Sequence, residues 1–500
     1  MQLDDPESEL GRVAVEAEVA ADAETDAKAV QGVLSRGSIY SIVTVVQAST
    51  TLLAIPLLTR LLDTEEYGLL TAVLVAQAVL THLAGFGMPS AVTRAYFHDD
   101  GPDGARALIG VAAAAAFVVA ALALATGPLW SQLFGSVEFG PALALAVISA
   151  ALSATLVSAQ MVLQAEGRAR EFVTGAALAI AGGQISGIAA VALGLGPTGY
   201  MAGLTLGFAA GLLYAWPTAG FRLRPLRAAA TRRPLVATAL RVGLPTIWMG
   251  LSLYMLSAAD RVVVERIEGA AAAGSYYIAY AAGSLGIFLV AAINSAWSPA
   301  IFGAEERGRW RFLADSAVAI TRVAALAAAA LTLAAPLVLR LFAPADYDVA
   351  GLGGVSLLVA VSTLPYLWYL SSANLAVWRA RTGRLAVSGI AAVVINLVLC
   401  ALLVEPLGLE GAAAATLVAY AFLGAATWLW TRPLASIPWD PGALALAAAP
   451  AALAVGISLV LPEDGIWLAI RAALAVAIGL RVARIVVAGR GGPPGPEAAA

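Results

Sequence analysis

Asp260 and Arg261 are the residues whose types and positions most demand a chemical role. They continue a largely apolar run from Trp248 to Ala259 and are followed by Val262-Val263-Val264. Every other acidic residue lies in a tail, in a turn, or beside an apolar run. An ionisable group in such a setting is costly unless it faces a partner, a ligand or water. Arg261 and Arg266 are the cations nearest Asp260, and the residues leave two roles open. One is a local ion pair that fixes a helix end. The other is a guanidinium that receives an anionic ligand, steadied by Asp260, which is also the carboxylate best placed for coupling to ion movement. A guanidinium binds phosphate oxygens through two N–H groups at once, which an ammonium does not.

Further polar groups sit in or beside apolar runs. Arg60 and Arg94 join Arg261 and Arg266 as the candidate cationic cavity. Arg94 also fits an anchor at the cytoplasmic interface, and Arg322 has the same two readings. Gln47, Gln160, Asn294 and Asn396 are the polar cavity candidates, within a wider set of Gln77, Gln164, Gln184 and Asn374. Each by itself fits an interhelical hydrogen bond; as a set they fit a hydrated cavity able to bind sugar hydroxyls. Tyr254, Tyr276, Tyr277, Tyr280 and Trp297 offer stacking surfaces, or interfacial belts. No Walker loop, HExxH or GxSxG motif occurs, so no built-in ATPase, catalytic group or metal site is expected. One cysteine, Cys400, and two histidines, His82 and His98, give no metal cluster and no intrachain disulfide. No cofactor and no nucleic-acid partner is expected.

The elements that must position these groups are membrane helices. The chain is 61% hydrophobic and 12% charged, with mean hydropathy +0.86. Repeated runs of about 20 apolar residues each suit membrane spans. Without alternation of polar and apolar residues, the spans read as helices, which satisfy their own backbone. The fold class is all-α, a polytopic membrane protein of about fourteen transmembrane helices. The spans are expected near 37–61, 67–92, 106–127, 140–164, 172–194, 198–219, 239–262, 271–298, 316–341, 349–372, 384–404, 409–430, 442–461 and 465–487. Arginines crowd alternate connections, including Arg168 and Arg170, Arg222 to Arg241, Arg307 to Arg311, and Arg379 to Arg384. By the positive-inside rule both termini are then cytoplasmic. Pro56, Pro245, Pro299 and Pro365 lie inside or at the edge of spans, where they bend a helix or serve as hinges.

An internal repeat runs through this plan. Arg60 and Gly68 match Arg266 and Gly274 at one offset (266 − 60 = 206), and Gly196, Gly199 and Trp216 match Gly408, Gly411 and Trp428 at another (408 − 196 = 212). Six spans per half with both amino ends inside make two parallel repeats related by an axis along the membrane normal. The expected divisions are an acidic, disordered cytoplasmic tail at 1–36, an N-lobe of six spans at 37–219, and a basic linker at 220–238. A C-lobe of six spans at 239–431, two additional spans at 432–487 and a tail at 488–500 follow.

A family resemblance rests on the same residues. The Asp260-Arg261 pair, the turn Gly269 to Tyr276, then Tyr280 and Trp297-Ser298-Pro299 resemble the second-half opening of Wzx-type polysaccharide-export flippases. These belong to the multidrug/oligosaccharidyl-lipid/polysaccharide exporter superfamily. Ile55-Pro56-Leu57-Leu58-Thr59-Arg60 followed by Glu66-Tyr67-Gly68 is the first-half counterpart. The resemblance covers roughly residues 37 to 487. It implies a non-enzymatic flippase in the cell membrane that moves a polyprenyl-pyrophosphate-linked oligosaccharide to the outer leaflet by alternating access. Its partners would be that lipid-linked substrate, membrane lipid, and the polymerase and glycosyltransferases of the pathway. Two alternatives stand beside it. A drug/ion antiporter of the same superfamily normally wants a carboxylate inside its amino-terminal lobe, whereas here every Asp and Glu between 37 and 219 falls in an expected turn. A membrane glycosyltransferase or polysaccharide polymerase needs long outer loops, and those expected here are short.

Overall fold

The computed structural model describes residues 50, 52–98, 101–134, 138–220, 233–344, 347, 351–379, 381–463 and 465–488. The acidic stretch 1–36, Gln47, most of the first expected span, most of the 220–238 linker and residues 489–500 lie outside the described residues. The structure is 89% helical, with no strand among the described residues.

In chain order the helices are α1 (Leu52–Leu61), α2 (Thr64–Gly85), α3 (Met88–His98), α4 (Gly101–Ala125), α5 (Pro141–Ala165) and α6 (Ala169–Ala192). They continue with α7 (Gly196–Thr218), α8 (Arg233–Leu256), α9 (Ala259–Glu268), α10 (Ala270–Gly303), α11 (Arg309–Phe342) and α12 (Gly353–Val361). The last are α13 (Thr363–Trp378), α14 (Gly383–Leu407), α15 (Leu409–Thr431), α16 (Pro441–Val460) and α17 (Gly465–Ala488). Counting α2 with α3, and α12 with α13, twelve of the described helices are long and apolar enough to cross a membrane. Helices α7 and α1 occupy the sixth expected span and the end of the first. Large apolar side chains such as Leu122, Leu206, Leu446 and Leu453 stand exposed on the outside of the bundle. In water such a belt would be a liability; against lipid it is the expected surface. The chain is a multi-pass, all-α membrane protein.

Local chemistry sets the element ends. Asp63 caps α2 by accepting from the Glu66 amide at 2.8 Å, and Glu66 reaches back to the Asp63 amide. This reciprocal box satisfies two backbone donors that the first turn would leave bare. The turn between α2 and α3 places Phe86 and Gly87 in the left-handed region. That turn interrupts the expected span 67–92, and two other expected spans are broken. The span at 349–372 divides at Ser362, three residues before Pro365, whose missing N–H cannot continue the ladder back to Val361. The span at 239–262 ends at Leu256, and Ser257 and Ala258 turn before α9 begins. Asp260 therefore does not continue a membrane helix. It lies in the first turn of a short new helix, where a carboxylate is favoured by the free N–H groups.

Helices of the first half pack chiefly on one another, α7 against α5 and α6, and α5 against α2 and α4. Glycines let α6 and α7 approach closely: a Cβ on Gly203 would lie 2.1 Å from the Gly187 nitrogen. Such contacts replace the hydrophobic drive that lipid does not supply. Second-half helices pack likewise, α15 against α14 and α13, and α10 against α11 and α12. Helices α16 and α17 lie against α11. Arg471 is buried between the last two, donating to the Leu461 carbonyl at 3.1 Å and to Ser458 at 3.2 Å.

Two seams join the halves. At one end Gly68 meets the start of α10, where a Cβ would fall 2.0 Å from the Ala270 carbonyl oxygen. Gly274 faces back onto Gly68 and Thr64. These are the two glycines paired at the 206-residue offset of the sequence. Tyr347 closes the same end by donating to the Leu62 and Asp63 carbonyls at 2.8 and 3.1 Å, and Thr59 donates to the Phe342 carbonyl at 2.6 Å. At the opposite end, α3 packs on α8, and a Cβ on Gly87 would lie 2.0 Å from the Gly243 carbonyl oxygen.

Candidate functional site

Between the seams the halves enclose a cavity of about 470 Å³. The first half lines it from α1, α2, α6 and α7, and the second from α8 to α10, α13 and α15. Seven tyrosines contribute: Tyr67 and Tyr200 from the first half, and Tyr254, Tyr277, Tyr280, Tyr366 and Tyr420 from the second. Gln77, Gln184, Thr71, Ser257 and Ser284 add neutral polar groups. Among the described residues that line it, Arg261 is the one charged side chain.

The break before α9 is what brings Arg261 here. The guanidinium carbon lies 4.2 Å from the Tyr277 ring centroid and 5.1 Å from that of Tyr280. Such cation–π contacts are worth about 0.5–2 kcal/mol each, and more when water is excluded. One terminal nitrogen donates to the Ser257 carbonyl at 3.3 Å. Its Nε and the Tyr67 hydroxyl are buried with no hydrogen-bond partner, while the Tyr280 hydroxyl meets that of Tyr420. An unmet buried polar group costs about 1–3 kcal/mol, and two such groups lie on this cavity. Tyr200 donates to Gln184 on the opposite wall of the α6–α7 pair.

Asp260 lies behind Arg261, fully buried and outside the cavity lining. Its carboxylate accepts from the Tyr276 hydroxyl at 2.6 Å, the Thr416 hydroxyl at 3.0 Å and the Arg261 backbone N–H at 2.9 Å. Asn396 donates to Thr416 at 3.2 Å, while its own oxygen is buried without a partner. Asp260 thus ties together α9, α10 and α15, the second through Tyr276, the neighbour of Tyr277. The guanidinium itself points to the rings, and the recorded partners of the carboxylate are neutral.

The other sequence candidates are dispersed. Arg60 is exposed at the first seam, bonded to the Pro56 and Leu341 carbonyls. Arg266 is exposed at the same end, donating to the Gln132 carbonyl at 2.6 Å. Arg94 is exposed on α3, towards the opposite end. Gln160 is buried on α5, and Asn294 accepts from Asn374 at 3.0 Å between α10 and α13. Of the four candidate arginines, the geometry brings Arg261 alone to the cavity. Trp297 is a core side chain, donating to Ser316 at 2.8 Å. Tyr67, Tyr200, Tyr366 and Tyr420 were absent from the sequence candidates. A signal existed for Tyr366 and Tyr420: both lie well inside apolar runs, away from the span ends where aromatic belts form.

Comparisons with known proteins agree with this architecture. A search of curated proteins by sequence finds no match. Among solved structures, the fold is similar to an inward-facing multidrug resistance MATE family transporter of the MOP superfamily, at 18% identity and TM-score 0.63, covering 79% of this chain and 98% of that one. It is also similar to the lipid II flippase MurJ in an inward closed conformation, at 14% identity and TM-score 0.65, covering 90% and 98%. A MOP superfamily transporter from Pyrococcus furiosus matches at 16% identity and TM-score 0.58, covering 82% and 97%. The family model described as polysaccharide biosynthesis protein matches residues 33–305, more than half of the sequence. On that match the chain belongs to the polysaccharide biosynthesis protein family, built on the fold of the MOP superfamily transporters.

Proposed function

We propose that this protein is a flippase that carries a lipid-linked glycan, joined to its lipid through phosphate, from the cytoplasmic to the outer leaflet of the cell membrane. The observation that carries the reading is the convergence of Arg261 Nε and the Tyr67 hydroxyl, both buried and unpartnered, on one tyrosine-lined cavity between the halves. A guanidinium suits a phosphate, and tyrosine rings and hydroxyls suit the faces and edges of sugars. Polyprenyl pyrophosphate is the linkage that the sequence resemblance implies, and one fold neighbour is the lipid II flippase MurJ.

In this reading the glycine–tyrosine seam at Gly68, Ala270 and Tyr347 is the outer gate, and the arginine-rich turns face the cytoplasm with both termini. The headgroup enters from the cytoplasmic side, and its phosphate meets Arg261. Occupying groups contributed by both halves gives the substrate a different affinity for the two arrangements of the halves, which any alternating transport requires. The protein moves its substrate without making or breaking a bond, and pathway glycosyltransferases and a polymerase supply and consume it. Among the described residues no carboxylate lines the cavity, which disfavours an antiporter for cationic drugs.

The test is mass spectrometry of lipid-linked intermediates beside the surface glycan in a strain lacking the gene. A complete lipid-linked glycan accumulating on the cytoplasmic side, with loss of the surface polymer, is the expected result. A truncated glycan would point to an enzyme, and unchanged lipids with raised drug sensitivity to an antiporter.

A further inference from the structure

We propose that a second cavity, at one end of the second half, binds an anionic phospholipid of the leaflet it meets, with the lipid phosphate held by Arg381 and Arg384. The site shares no lining residue with the central cavity and does not depend on the flippase reading. It forms where three helices end together. Helix α13 stops at Trp378, the chain turns, α14 starts at Gly383, and α15 ends at Thr431. Between these ends lies a cavity of about 460 Å³, within the range of about 300–1,000 Å³ for small-molecule sites.

Its polar side suits phosphate. Arg381 and Arg384 both line it and are exposed. Among the described residues neither has an acidic partner. A guanidinium takes phosphate oxygens through two N–H groups at once. The first turn of α14 adds backbone donors. Thr382 makes no side-chain cap and Gly383 lines the cavity, so uncapped N–H groups, which favour an anion, lie at its wall.

A smaller chamber of about 150 Å³ adjoins the first across Thr431, which lines both. Arg432 and Ser436 line this chamber, and so does Ser372 on α13. Ser372 is fully buried, and its hydroxyl has no partner. Such a group is rare in a folded chain. The glycerol part of a headgroup whose phosphate sits beyond Thr431 would supply the missing partner.

The apolar side favours a lipid over a free anion. Leu385, Leu434 and Trp430 wall the larger chamber, and Trp428 and Trp439 the smaller. Indole rings concentrate at the level of lipid headgroups. Further along the same helices, Val387 on α14 and Leu429 on α15 stand exposed, an apolar path for acyl chains beside the headgroup. Basic pockets between membrane helices are where anionic headgroups bind. Arginines at a helix end also orient a chain in the membrane, but that role needs neither a cavity nor a buried, unmet hydroxyl.

The test is native mass spectrometry and thermal melting of the full-length protein in detergent, titrated with phosphatidylglycerol, phosphatidylcholine or inorganic phosphate. Phosphatidylglycerol should bind at least about tenfold more tightly than phosphatidylcholine and raise the melting temperature. Loss of one guanidinium should weaken its binding about fivefold. Arg381→Gln with Arg384→Gln should therefore weaken it at least about tenfold, with lipid-free melting unchanged. Should that pair fail to fold, Arg384→Gln alone carries the test. Ser372→Ala should weaken binding by about two- to fivefold. Arg307→Gln with Arg311→Gln makes the same charge change outside the cavity, and should leave binding within about twofold. Equal weakening by both arginine pairs would reduce the site to diffuse surface charge. Equal binding of phosphatidylcholine would remove its charge selectivity, and inorganic phosphate raising the melting temperature as far as the lipid does would make it a free-anion site. Each of these results would overturn the proposal.

Discussion

The two walls of the cavity, one from each half of the sequence, differ in chemistry. At the 206-residue offset of the repeat, Asp260 and Arg261 correspond to Ala54 and Ile55, and Tyr277 and Tyr280 to Thr71 and Leu74. Arg261, both tyrosines and all four first-half counterparts line the same cavity. The first half therefore offers a mainly apolar wall where the second offers a guanidinium on aromatic rings. At the 212-residue offset, Gln184 corresponds to Asn396. Gln184 accepts from Tyr200 across α6 and α7, and Asn396 donates to Thr416 across α14 and α15. The first of these pairs faces the cavity, whereas the second is buried against Asp260. In the proposed flippase the two walls move against each other, and one of them carries the charge that meets an anion.

The sharpest way to break that comparison is to remove the charge. Arg261→Ala should reduce surface glycan at least about tenfold at unchanged protein level, because a buried phosphate would lose its counter-charge. Ile55→Ala, at the equivalent place in the other half, should leave glycan within about twofold. Equal losses from both, or from neither, would remove the asymmetry. Next in size is the seam that both halves share. Gly68→Val puts a branched side chain where a single Cβ already lies 2.0 Å from the Ala270 oxygen, and overpacking of this kind costs about 1–3 kcal/mol. The melting temperature in detergent should fall by several degrees, whereas Gly479→Ala, with open space around it, should not move it.

A smaller effect separates the two polar pairs. Asp260→Asn keeps the shape but removes a charged acceptor from two hydroxyls, and bonds to charged groups are worth about 1.5–3 kcal/mol. It should lower both stability and transport, with Thr416→Val showing the same direction. Gln184→Leu breaks a neutral bond worth about 1 kcal/mol and should cost less than Asp260→Asn in melting. Smallest of all, Tyr67→Phe removes a hydroxyl that has no hydrogen-bond partner. It should leave melting unchanged and weaken substrate binding by about two- to tenfold. A drop in stability without loss of binding would assign that hydroxyl to the fold instead.

Much of the fold was legible in the sequence because lipid imposes one rule on every span: an apolar surface and a self-satisfied backbone. Arg261 was legible for the converse reason, since a charge beside such a run has to be explained. Its setting was not. Nothing in Leu256-Ser257-Ala258-Ala259 contains Pro or Gly to announce a helix break, so the seventh span read as continuous through Asp260. The carboxylate finds its partners in Tyr276 and in Thr416, 156 residues away, a contact that no local pattern records. The repeat pairs Arg60 with Arg266 in the sequence, and a sequence offset says nothing of where a side chain points. Their side chains bond to the Leu341 and Gln132 carbonyls outside the cavity. Tyr366 and Tyr420 could be singled out by their place inside apolar runs, whereas only packing shows that they face the cavity.

The most direct test of the account is photocrosslinking in living cells, with a photoreactive phenylalanine placed singly at Tyr67, Tyr280 and Leu480. Leu480 stands exposed on α17, far from the cavity lining. The account predicts that Tyr67 and Tyr280, one from each half, capture the same lipid-linked glycan, identified by mass spectrometry, while Leu480 captures bulk phospholipid. Failure of both cavity positions to capture a glycan-bearing lipid, or capture at Leu480 alone, would contradict it.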